Sequence, residues 1–135
     1  MRKINRIIIH CTATPEGREV TVKDIDRWHR DRGFAGIGYH YVIYLDGSVH
    51  EGRPLDRIGA HCRGQNAHSI GIAYVGGLTH DGSTPKDTRT DAQRAAMHAL
   101  VSRLREQFPA ATVHGHREFA AKACPCFDVR EEHGS

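Results

Sequence analysis

The apolar positions of this chain fall into short blocks whose spacing predicts five strands and two helices. Arg6-Ile7-Ile8-Ile9-His10 is an unbroken apolar run, as expected of a strand buried on both faces. Cys11-Thr12-Ala13-Thr14-Pro15 breaks it into a loop. Thr21 with Asp24 three residues on has the spacing of a capping box, and Ile25, Trp28 and His29 follow at helical intervals until Gly33 stops the helix. Residues 39–45 are rich in aromatic and β-branched side chains and read as a strand. Asp46-Gly47 is a hairpin turn, and Ser48-Val49-His50 begins the return strand.

Residues 52–68 form a long polar loop, and 69–75 are a further strand closed by Gly76-Gly77. Thr90 with Gln93 makes a second capping box after a loop over 79–89. Ala96, Met97, Leu100, Val101, Leu104 and Phe108 then mark one apolar helix face, ended by Pro109. Met97 belongs to that core stripe. Thr112-Val113-His114 is the last strand, and an irregular tail follows. The order implies an α/β fold in one domain over residues 1–135, with a central mixed sheet flanked by helices.

Composition narrows the class. The chain has 135 residues, 39% hydrophobic and 26% charged, with 14 Gly and 5 Pro, so it folds as one globular unit. No apolar run approaches a membrane span or a secretory signal, so neither membrane insertion nor a leader is expected. The net charge of +3 is dispersed, which disfavours nucleic acid as a partner.

Histidine is the unusual component, with 11 in the chain beside 4 cysteines at 11, 62, 124 and 126. Without a signal peptide, and with 124 and 126 one residue apart, a disulfide framework is not expected. A metal or a nucleophile is the alternative. His10 ends the first strand, His114 and His116 follow the last, and Cys124 and Cys126 lie shortly after. Strand ends are where α/β sheets aim side chains into a crevice. Zinc suits imidazole and thiolate, and a catalytic site keeps three protein ligands. Spacing alone leaves a catalytic metal and plain buried histidines both open, and it does not separate His114 from His116.

One ordered set of motifs goes further. It comprises Ile8-Ile9-His10-Cys11-Thr12-Ala13-Thr14, Gly38-Tyr39-His40-Tyr41-Val42-Ile43, Gly59-Ala60-His61, Asn66, Ser69-Ile70-Gly71-Ile72 and Gly76-Gly77. It ends with His116-Arg117-Glu118 and Lys122-Ala123-Cys124-Pro125-Cys126-Phe127-Asp128. Together these resemble the zinc-dependent N-acetylmuramoyl-L-alanine amidases of the phage-lysozyme and peptidoglycan recognition protein family, over about residues 6–130. The resemblance implies one Zn2+ per chain held by His10, His116 and Cys124 in a groove at the strand ends, with His114 left as a strand residue. It makes Tyr39 and Lys122 the catalytic pair. Lys122 is suited to meet the oxyanion of a tetrahedral intermediate, and Tyr39 to orient a water or pass a proton. It places His61 on the substrate groove, where a plain loop histidine is the competing account.

Asp128 is open between a partner near the metal and the cap of a C-terminal helix. Cys11 points away from the metal if strand alternation persists, Cys126 is read as a neighbour of the site, and Cys62 is unassigned. The implied reaction is hydrolysis of the amide between N-acetylmuramic acid and L-alanine in peptidoglycan, with loops 52–68 and 79–89 walling the groove. A peptidoglycan-binding module and a zinc peptidase acting on the stem peptide are the alternatives. Tyr39 and Lys122 speak against the first, and the absence of a His-Glu-x-x-His helix against the second. An endolysin of this kind, of phage or prophage origin, is expected to work as a monomer. It is expected to stay cytoplasmic until released to the cell wall, with no appended wall-binding domain.

Overall fold

In the computed structural model, which describes residues 1–134, the long apolar run becomes the middle of a sheet. Ser135, the last residue of the expected 1–135 domain, lies outside the described residues. Strand β1 (Arg6–Cys11) pairs in parallel with β5 (Ser69–Tyr74) on one side and with β7 (Thr112–Gly115) on the other. β5 also pairs in parallel with β3 (Tyr41–Ile43), and β4 (Val49–Glu51) closes that edge antiparallel to β3. The order β4-β3-β5-β1-β7 is a mixed five-stranded sheet, and Ile7, Ile8 and Ile9 in it have no exposed surface. An uninterrupted apolar triplet is what a strand covered on both faces requires.

Alternation along the strands divides the core in two. Ile7, Ile9, Ile70, Ile72 and Val113 face α2 (Asp91–Gln107), packing on Met97, Leu100, Val101 and Leu104. On the other face Val42 and Val75 pack with Ile25 of α1 (Val22–Asp31) and with Ile37. Both helices begin in the capping boxes that the sequence carries, Thr21 with Asp24 and Thr90 with Gln93. Gly33, at a φ of +91°, turns the chain out of α1 as expected of a helix-stopping glycine.

Three elements depart from the sequence-based expectation. Thr14–Pro15, expected as loop, is the short strand β2, paired in parallel with β6 (Gly77–Leu78). The tail is not wholly irregular, because α3 (Val129–His133) forms there. The side chain of Asp128 accepts the Glu131 N–H at 3.1 Å, so this residue caps α3 and is exposed. Two-residue strands and a five-residue helix are too short to show a period.

Two buried polar side chains tie the layers together. Gln93 is fully buried; its Nε2 donates to the carbonyls of Ile43 at 3.2 Å and Val75 at 3.0 Å, while its Oε1 accepts from Thr90 N. His40 accepts the Gly71 N–H at Nδ1 and donates from Nε2 to the Arg57 carbonyl at 2.8 Å, joining the 52–68 loop to the sheet. Burial pushes its pKa down to about 4, the Arg57 hydrogen bond opposing and the nearby Arg2 cation adding to the drop.

Gln93→Ala removes two buried donors and half of a capping box, so urea unfolding should show stability lower by about 2–4 kcal/mol with an unchanged m-value. His40 stays neutral in the fold yet takes a proton in the unfolded chain below its ordinary pKa. Its contribution is therefore complete above about pH 6.5 and declines towards pH 4. Urea unfolding between those pH values should show a loss approaching about 1.4 kcal/mol per pH unit from this group, removed in His40→Asn.

Candidate active site

The carboxyl ends of β1 and β7 bring together residues that are far apart in sequence. His10 is 1% exposed, and by alternation it projects from the α1 face of the sheet. Its Nδ1 lies 3.1 Å from Nδ1 of His116, which begins the turn after β7. Cys124 Sγ completes a cluster in which one ligand atom from each residue lies within 4.8 Å of the others. His114 stands apart: its Nε2 meets Thr112 Oγ1 at 2.7 Å and its Nδ1 meets Glu118 Oε1 at 2.9 Å.

The second nitrogen of His10 is also engaged. His10 Nε2 lies 2.8 Å from Nδ1 of His61, and His61 Nε2 is 3.2 Å from the buried Ser69 hydroxyl. Both ring nitrogens of His61 are therefore held within the protein, and the residue is 8% exposed. Asn66 fixes this loop, its Oδ1 accepting the backbone N–H groups of His61 and Cys62 at 2.9 and 3.0 Å. Gly71 lets the ring lie flat on the sheet, since a Cβ there would meet the His61 ring at 2.5 Å. Ser69 is the participant that sequence reasoning missed; a serine opening a strand carries no signal of its own.

The electrostatics favour neutral imidazoles beside a thiolate. Burial holds the His10 pKa well below its usual value, and the facing His61 and His116 with Lys122 add to this. Burial and Lys122 lower His116 in the same direction. Cys124 is lowered by hydrogen bonding from Cys11, first through its side chain and then through its backbone N–H at 3.1 Å, against the effect of burial. The Cys11 thiol is raised correspondingly and sits in the core on the α2 side.

Uncharged imidazole and ionised sulfur are the forms that bind zinc. Nitrogens about 2.0–2.1 Å from a tetrahedral ion stand about 3.3 Å apart, close to the His10–His116 separation. His10, His116 and Cys124 therefore fit zinc by chemistry, and the two histidines by spacing as well.

This cluster borders a groove of about 610 Å³ lined by Arg32, Phe34, Tyr39, Arg63, Phe119 and Lys122, among others. The His10 and Tyr39 rings have centroids 5.2 Å apart, and burial pushes the Tyr39 phenol pKa up. The 52–68 loop forms one wall as expected, but the 79–89 loop does not. The second loop is held elsewhere: Lys86 pairs with Glu16 at 2.7 Å and Arg89 with Glu132 at 2.6 Å. The end of α1 and the segment after β7 supply the remaining wall. Cys62 also lines the groove, whereas Cys126 approaches the Gly77 carbonyl at 3.4 Å.

The family profile described as N-acetylmuramoyl-L-alanine amidase matches residues 1–127. The endolysin of Klebsiella phage KP32 is 37% identical over 129 residues, covering 96% of this chain and 85% of the relative. Peptidoglycan-recognition protein SC2 of Drosophila simulans is 34% identical over 134 residues, covering 93% and 70%. The solved N-acetylmuramoyl-L-alanine amidase LysC from Clostridium intestinale superposes with a TM-score of 0.82 at 29% identity, covering 97% and 82%. A matched profile over nearly the whole chain, with the same fold in a solved amidase, shows that the chain belongs to the N-acetylmuramoyl-L-alanine amidase family and is an enzyme of that class.

Proposed function

We propose that the chain is a zinc-dependent endolysin that cleaves the amide between the lactyl group of N-acetylmuramic acid and L-alanine in peptidoglycan. The observation that carries this reading is the convergence of His10, His116 and Cys124 beside an open groove also lined by Tyr39 and Lys122. A bound zinc ion supplies an activated water and a Lewis acid for the scissile carbonyl. Among the described residues no helix is long and apolar enough to cross a membrane. The relatives' endolysin names support action on the cell wall, and in this reading a single chain acts there after its release from the cytoplasm.

The chain's own residues then have separate tasks. His61 and Ser69 hold the His10 ring so that Nδ1 faces His116, and His61, which also lines the groove, joins this positioning task to a place beside the substrate. Hydrogen bonding from Cys11, through its side chain and its backbone N–H, favours the ionised form of the Cys124 sulfur. Lys122 brings a cation to the groove, where it opposes the negative charge that develops on the carbonyl oxygen. Tyr39, whose phenol is held protonated by burial, donates a hydrogen bond and does not act as a base. Phe34 and Phe119 offer apolar surface to the glycan, and Arg32 and Arg63 offer cations to stem-peptide carboxylates.

Digestion of purified cell wall should release stem peptides with new L-alanine amino termini and no new reducing sugar ends; reducing ends would overturn the reading. Lys122→Met and Tyr39→Phe should each lower kcat by about 10²-fold or more while the protein stays folded. Cys124→Ala and His10→Ala should lose the tightly held zinc, and chelation should abolish an activity that added zinc restores.

A further inference from the structure

On the α2 side of the sheet, α3 lies against the long helix and sets a second group of ligating side chains together. His98 of α2 meets Glu132 and His133 of α3, with one ligand atom from each within 4.8 Å of the others. None of the three lines the groove. His133 Nε2 is 3.1 Å and His98 Nε2 3.8 Å from the same Glu132 Oε2, and the two rings have centroids 4.5 Å apart. The His133 side chain is only 2% exposed. Its Nε2 is sealed from solvent and, despite the short approach to Glu132, makes no aligned hydrogen bond.

A buried ring nitrogen that meets its carboxylate neighbour only out of hydrogen-bond alignment needs an explanation, because desolvating it is unfavourable. Aimed at a carboxylate oxygen and beside a second imidazole, it has the surroundings of a metal ligand. We propose that His98, Glu132 and His133 form a second site, distinct from the groove, for a nitrogen-binding transition-metal ion such as zinc. Two imidazoles and one carboxylate are a zinc donor set, and an exposed His98 leaves the fourth position to water.

The charges around the cluster select the kind of ion. Arg89 grips both Glu132 oxygens at 2.6 and 2.9 Å, Arg94 lies 3.6 Å from Oε1, and Asp87 pairs with both guanidiniums. Arg105 donates to the His133 carbonyl from behind. Two arginines disfavour calcium or magnesium, which bind through oxygen and charge, whereas imidazole lone pairs still attract zinc, nickel or copper. The same Arg89 fork fixes the orientation of the carboxylate, as outer partners of metal ligands do. An ion here joins α2 to α3. The segment just before α3 carries Lys122 and Cys124, so the ion anchors the C-terminal wall of the groove.

Equilibrium dialysis of the full chain against zinc chloride tests this. The expected count is two zinc ions per chain in the wild type, one in His98→Ala, one in Cys124→Ala and none in the double variant. His98 is exposed, so its replacement should leave the fold intact. Binding of the second ion should weaken more than about tenfold in His98→Ala. Zinc should raise the Tm of Cys124→Ala but not that of the double variant. A single ion that survives in His98→Ala and is lost in Cys124→Ala overturns the second site and leaves the groove site standing. A single ion lost only in His98→Ala supports the second site and removes the groove site.

Discussion

Burying an imidazole is unfavourable unless its ring nitrogens find partners, and the site is assembled around that constraint at His10. The residue is sealed at the end of the central strand, where an unpartnered nitrogen would be as unfavourable as any buried polar group. One nitrogen is held by His61, itself held by Ser69; the other faces His116. The chain reaches this arrangement from four separate segments. Gly71 contributes by having no side chain, so that His61 can lie on the sheet.

The C-terminal segment carries the sulfur and one wall of the groove, and it is held by polar ties that reach the core. The Tyr74 hydroxyl, buried in β5, donates to the Pro125 carbonyl at 2.7 Å. Arg89 lies over the Phe127 ring, 3.4 Å from its centroid, while its guanidinium forks onto Glu132. A cation stacked on an aromatic face and paired with carboxylates on two sides is strongly directional. The loop over 79–89, expected beside the substrate, serves instead to fasten the tail. A basic residue at the end of a polar loop gives no sign of which surface it will meet.

Much of the fold was legible because its signals are local. Both capping boxes, the glycine stop after α1, the apolar stripe of α2 and the fully buried run of β1 each depend on residues within a few positions of one another. The short pair β2–β6 was not legible and α3 was signalled only by its cap Asp128, since two to five residues carry no period and form only against a surface already present. The strand expected over 39–45 contracts to Tyr41–Ile43, although the ladder continues through the His40 N–H to the Gly71 carbonyl.

The sequence by itself determined the class of chemistry: an ordered set of His, Tyr, Lys and Cys motifs along one α/β chain, with the strand ends as the place where they collect. Spacing alone left His114 and His116 open, where the motif resemblance implied His116, and His61 stood between a place on the groove and a plain loop histidine. Tertiary structure sets His114 apart from His116 and seats His61 against His10 at the edge of the groove. His114 turns to Glu118 while His116 meets His10, and both nitrogens of His61 are spent inside the protein. Tertiary structure alone also brought His98 to His133 across two helices. The physical reason is the same in each case. Ligand geometry is a relation between side chains tens of residues apart, and only the packing of sheet and helices fixes which atoms finally face each other.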